Sequence, residues 1–230
     1  MEINLSSVGM EKGRQYETVI TTLSPEGKRN AAPIGVICTG KDSIICRIFK
    51  GSTTLENIIS QKEFTVNITE NPELFTLSTI DNLPETYFDE NNSIKNIESY
   101  FKCEVTDLIE AVKRSDPIKS DSKAIVIKAK VTSHVINKNI KAINRAMGLL
   151  IETLVNFTRI DMVDEKQQEY YLGRFREAKR VINKVGSKEE QKAIHEIKKY
   201  KEIGSFYAAI GGAGAVLREQ FVDLKKISEE

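Results

Sequence analysis

Hydrophobic residues recur with one period up to about residue 138 and with another beyond it. In "SKAIVIKAKVTSHVI", Ile125, Ile127, Ala129 and Val131 alternate with Val126, Lys128, Lys130 and Thr132. A period of two is that of a strand with one buried and one wetter face. Five other runs rich in β-branched residues predict strands: "YETVITTLS", "NAAPIGVICT", "SIICRIF", "EFTVNIT" and "FKCEVTDLIEAVKRS". "SPEG" at 24–27 suits a type I turn, and "GKD" at 40–42 makes the next one. Pro33 inside the second run points to an edge or a bulge, because proline cannot donate to a ladder. Residues 53–61 predict a short helix, and the polar segment 79–95 reads as a long surface loop.

Past residue 138 the spacing becomes three and four. Ile140, Ile143, Met147, Leu150, Leu154 and Phe157 form one such stripe; Tyr171, Phe175, Ala178, Ile182 and Val185 form another. Both predict amphipathic helices. Asp164 with Gln167 fits a capping box for the second helix, and Gly186 suits its end. Ser187 with Glu190 fits a box for a third helix over 188–200. A last stripe runs Phe206, Ile210, Ala213, Leu217, Phe221, Leu224. The chain therefore divides into a β-rich part, 1–136, and a helical part, 137–230, an α+β organisation that is mainly β in its first half.

Composition narrows the functional classes. With 34 basic and 33 acidic residues among 230, nothing global favours nucleic acid or an anionic membrane. No apolar run approaches the ~18 residues of a membrane span, and the N-terminus lacks the order of a signal peptide. Cys38, Cys46 and Cys103 lie in apolar runs and read as reduced thiols of a cytoplasmic protein. His134 and His195 are far from each other and from any cysteine, which disfavours a metal site. Residues 174–202 carry ten Lys/Arg against five Asp/Glu, and these read as the solvated side of helices. "AIGGAGAV" at 209–216 fails the spacing of a dinucleotide loop and reads as small residues for close helix packing.

The candidate chemistry lies in "RIFKGSTTLENI", 47–58, at a strand-to-helix junction. Arg47 and Lys50 supply cationic donors; Ser52, Thr53 and Thr54 supply hydroxyls. Gly51 lets the backbone approach closely, and the start of the helix favours an anion. Together these suit a phosphate. The same residues also read as a turn, an N-cap and two solvated cations. Arg145 and Arg159, near the ends of the first long helix, suit either an anionic ligand or a carboxylate partner.

The order of motifs around this stretch separates the two readings. Thr54-Leu-Glu-Asn57-Ile58 is followed by Phe64-Thr-Val-Asn67-Ile68 and preceded by "NAAPIGV" at 30–36. This order resembles the flavin reductase-like FMN-binding split-barrel proteins, over about residues 14–136. Over the whole chain it is similar to an uncharacterised, largely archaeal branch with helices after the barrel. The resemblance implies a split β-barrel followed by a helical bundle, with FMN at a homodimer interface. It implies that Arg47, Lys50, Ser52, Thr53 and Thr54 hold the phosphate. It places Ala32, Pro33, Ile34 and Gly35 beside the isoalloxazine and adds Asn57 as a candidate cofactor-binding residue; Asn57 and Asn67 equally read as ties to neighbouring backbone. The activity implied is that of a flavin-dependent oxidoreductase or flavin reductase using a nicotinamide or deazaflavin donor. A non-catalytic flavin-binding or flavin-sensing module, its helical half contacting a protein, is the alternative.

Overall fold

The computed structural model describes residues 3–112 and 123–197. These fall into two compact units, one running to Arg145 and one starting at Ala146. The stripe at 206–224 and the "AIGGAGAV" segment lie outside the described residues.

The first unit is a six-stranded closed barrel with the cyclic order β1-β2-β3-β6-β5-β4. Its strands are β1 (Gln15–Leu23), β2 (Arg29–Cys38), β3 (Ser43–Phe49), β4 (Glu63–Ile68), β5 (Ser99–Val112) and β6 (Lys123–Ile136). All neighbours pair antiparallel. The alternation in β6 is realised: Ile125, Ile127, Ala129 and Val131 are buried, while Lys130 and Thr132 are exposed. They meet Tyr16, Ile20, Val36, Ile44, Cys46, Ile48, Phe64, Val66 and Phe101 in one core. Phe101 is fully buried, and burying one such side chain stabilises by about 1.5–3 kcal/mol.

The two ends of the barrel are stopped differently. A short 3-10 turn, Leu5–Val8, sends Leu5 and Val8 into the core, and the Leu5 N–H donates to the Lys41 carbonyl just before β3. At the far end of β3, helix α1 (Thr53–Gln61) inserts Leu55 and Ile58 into the same core. Lys62 closes α1 in the left-handed region and donates its N–H to Ile58.

Two sequence expectations need correction. The segment 79–95 carries a helix end, α2 (Pro72–Ile80), then a 3-10 turn at Glu85–Tyr87. It is not simply surface. Leu83, Phe88, Ile94 and Ile97 are buried and form a second core with Val19, Ala31, Leu74 and Tyr100. Its polar residues obscured these apolar anchors. The stripe beginning at Ile140 is also not one helix. Ile140 and Ala142 belong to the barrel core, the Glu17 N–H donates to the Ile143 carbonyl, and the Asn144 amide donates to the Gln15 carbonyl. Residues 143 and 144 thus bond to β1 outside any helix, and α3 starts only at Ala146.

The second unit packs α3 (Ala146–Thr158) and α4 (Glu165–Val185) with a helix opening at 188. Ala146, Leu150, Val181, Ile182, Val185 and Ile194 form its core. Asp164 caps α4 by accepting from the Gln167 N–H at 2.8 Å. Ser187 and Glu190 complete a reciprocal box, at 2.7 and 3.2 Å. Gly186 ends α4 in extended conformation; a Cβ there would come within 2.7 Å of the Ile182 carbonyl oxygen.

Candidate functional site

The β2–β3 seam is the shortest joint beside β1–β4. Only Val36, Ile37 and Cys38 pair with β3, against Cys46, Ile45 and Ile44. Beyond that point the strands keep their other partners. Ala32–Gly35 stay on β1, and Arg47–Phe49 stay on β6. The seam therefore opens into a notch with 32–35 on one wall and 47–50 on the other. At its end the Asn30 amide donates to Thr54 Oγ1 at 2.9 Å, tying the first turn of α1 to the start of β2. Pro33 sits on the stretch of β2 that has no ladder on the β3 side, where a missing N–H costs nothing. Nearer the strand start that edge is held by Asn82, which accepts from the Ala31 N–H at 2.9 Å and donates to the Arg29 carbonyl at 2.8 Å.

The notch brings together both groups of residues singled out in the sequence, and it sorts them. Ala32, Pro33, Ile34 and Gly35 are half-buried along one wall. Arg47 is exposed on the other wall and has no ion pair among the described residues. Lys50 is engaged, its ammonium 2.5 Å from Glu110, and this contact holds the Glu110 carboxyl below its ordinary value. Gly51 has φ +84° with open space around it, so its role is conformational. Ser52 is the N-cap of α1: it accepts from the Leu55 N–H at 3.3 Å and donates to the Phe49 carbonyl at 3.0 Å. Thr53 is exposed, and the N–H groups of Thr53 and Thr54 have no partner among the described residues. Thr54 and Asn57 face inward. Thr54 accepts from Asn30, and the Asn57 amide donates to Thr22 Oγ1 at 3.0 Å. Asn67 is fully buried and ties three backbone segments together.

Beside the notch the outer barrel face carries apolar side chains among its charged ones. Arg47, Val126 and Ile109 lie in one cross-strand row, and Phe49, Ala124 and Ala111 in the next. Phe49 and Ile109 are each 41% exposed. On the β1 side, Gln15 and Glu17 project from the same face. A Cβ at Gly35 would come within 2.3 Å of Gln15 Nε2, so the Gln15 amide lies directly over Gly35. Arg145 reaches Glu17 at 3.2 Å, an ion pair without hydrogen-bond geometry, which gives that arginine its carboxylate partner.

One pair escaped the sequence reading. Ser99 Oγ lies 3.0 Å from His134 Nε2. The hydroxyl donates to the Val135 carbonyl at 2.9 Å, so its single hydrogen is committed and the imidazole must donate to it. Ser99 is fully buried, and burial pushes the His134 pKa down. The pair is structural. Burial likewise pushes the Cys46 thiol up to about 12, far from a reactive thiolate. No group of three His, Cys, Asp or Glu suited to a metal occurs among the described residues, and no described helix is long and apolar enough to cross a membrane.

Comparison with known proteins shows what the chain is similar to. Residues 16–138 match a family model described as the N-terminal domain of a protein of unknown function (DUF447). Residues 144–199 match its companion model. An uncharacterized protein of Methanocaldococcus jannaschii, MJ1453, is 28% identical over 185 residues, covering 78% of this chain and 94% of its own. Among solved structures, the FMN-bound protein MM1853 of Methanosarcina mazei, from the same family, is 26% identical. That match covers 85% of this chain and 99% of the other, with a TM-score of 0.48. Nitrilotriacetate monooxygenase component B of Bacillus cereus is 16% identical, over 63% of this chain and 81% of its own, with a TM-score of 0.42.

Proposed function

The chain belongs to the DUF447 family, and we propose that it binds FMN in the notch between β2 and β3 and serves as a flavin-dependent oxidoreductase or flavin reductase. The observation that carries this reading is the seam itself, which ends at Val36 and Cys46 and leaves 32–35 facing 47–50. A member of the same family is FMN-bound, and the notch offers what FMN needs.

FMN combines a phosphate dianion, a ribityl chain and a flat ring with one polar edge. The phosphate belongs at the start of α1. There Arg47, the Thr53 hydroxyl and the N–H groups of Thr53 and Thr54 are available, and the helix dipole favours an anion. Ser52 contributes by capping that turn, and Lys50 joins only by leaving Glu110. The ring lies along Ala32, Pro33, Ile34 and Gly35. Thr54 and Asn57 hold the walls from behind. Flavin supplies hydride and electron chemistry when bound; the chain's residues bind and orient it. A homodimer covers Phe49, Ile109 and Val126 with the same face of a second copy and shields the flavin. The reductant is a nicotinamide or a deazaflavin.

One observation favours the alternative, a flavin-binding module that contacts a protein through its helices. On α3, Met147, Ile151 and Leu154 are 51%, 54% and 43% exposed along one stripe. The two readings part on one experiment. Purified protein is analysed by mass spectrometry for co-purifying flavin, titrated with FMN, then mixed with reduced nicotinamide or deazaflavin. Bound FMN that bleaches rapidly supports the enzyme; bound FMN that stays oxidised supports the module. Protein that neither carries nor takes up FMN overturns both.

A further inference from the structure

Gln15 is assigned no role by the motifs above, yet it occupies the place where the ring's polar edge would lie. It projects from the outer face of β1, opposite Ile37, with its amide over Gly35. Any side chain at 35 would displace it. The amide makes no hydrogen bond among the described residues and is not sealed from solvent. Asn30, which touches the phosphate end of the notch through Thr54, lies five residues from Gly35, roughly 16 Å of extended strand. A phosphate at the start of α1, a ribityl chain and a ring along β2 together reach that far.

We propose that Gln15 is the specificity residue for the pyrimidine edge of the flavin; the inference rests on the FMN reading. That edge presents, in order, a carbonyl, an N–H and a carbonyl. A carboxamide offers one acceptor and one donor at matching spacing. The flavin N3–H donates to Gln15 Oε1, and Gln15 Nε2 donates to the adjacent carbonyl. Gly35 leaves room for this arrangement, as a larger residue would push the amide off the wall. No bond is made or broken, and the role is binding and orientation.

The probe is N3-methyl FMN, which lacks the N3 hydrogen, titrated beside FMN into the full chain and into Gln15→Leu. The parent binds FMN about tenfold more tightly than the N3-methyl analogue, and Gln15→Leu binds the two alike, with unchanged far-ultraviolet circular dichroism. The inference falls if Gln15→Leu keeps the parent's preference, or if the parent shows none. A parent that binds neither flavin overturns the FMN reading as well, which separates the two failures.

Discussion

Asn67 accepts the backbone N–H of Ile94 at 2.9 Å while its amide donates to the Val19 carbonyl and the Thr21 hydroxyl, at 3.0 and 3.1 Å. One fully buried side chain thus joins β4, β1 and the segment after α2. Replacing it by alanine removes three buried hydrogen bonds. Asn67→Ala should lower stability by about 3 kcal/mol, read from urea denaturation, and open the 81–97 segment to limited proteolysis. A loss below about 0.5 kcal/mol would mean that water restores the bonds.

Arg47 and Lys50 differ in what they must give up to hold a phosphate. Arg47→Ala should weaken FMN binding by about 1.5–3 kcal/mol, the range of charge-assisted hydrogen bonds. Lys50→Ala should cost less, because Lys50 is already spoken for by Glu110. Glu110→Gln, which releases Lys50, should tighten binding. Calorimetric titration of the three variants checks the order; if both cation variants bind like the parent, the phosphate lies elsewhere.

The apolar rows beside the notch predict self-association. Phe49→Asp combined with Ile109→Asp should convert dimer to monomer in sedimentation velocity and weaken FMN binding together with it. A parent chain that sediments as a monomer at every concentration would remove this face from the site.

His134 sets a pH dependence. Burial lowers its pKa from the ordinary 6.5, so the unfolded chain takes up this proton at higher pH than the folded one. Stability from this group is complete above about 6.5 and declines as pH falls below it. Thermal unfolding should show a lower melting temperature at pH 5.5 than at 7.5, and His134→Gln should flatten that difference. Glu85 and Glu110, lowered by Arg29 and Lys50, act only further down, below their ordinary 4.5.

Local signals were readable in the sequence wherever structure depends on near neighbours. The limits of β3 and α1, the alternation in β6, the Asp164 N-cap and the Ser187–Glu190 capping box follow from period and cap chemistry. What could not be read depends on distant partners. The Lys50–Glu110 and Ser99–His134 pairs span 60 and 35 residues. Helix α2 has Leu74, Phe75, Leu77 and Ile80 spread around it rather than in a stripe, so no period announced it. Ile140 and Ile143 matched a helical spacing by coincidence, because the barrel edge claimed them first. The candidate phosphate residues were evident as a cluster, but that Thr54 and Asn57 point inward depended on Asn30 and Thr22, which sequence spacing does not link to them.

The strip at 140–144 sets where the protein can be divided. Its Ile143 carbonyl and Asn144 amide close the free side of β1 beside Gln15 and Glu17. A truncation at the change of hydrophobic period would expose that strand and unseat the Glu17–Arg145 pair, leaving a barrel prone to stick to itself edge to edge. A soluble barrel fragment has to keep the chain through Arg145, carrying with it the first residues that sequence alone would give to the helices.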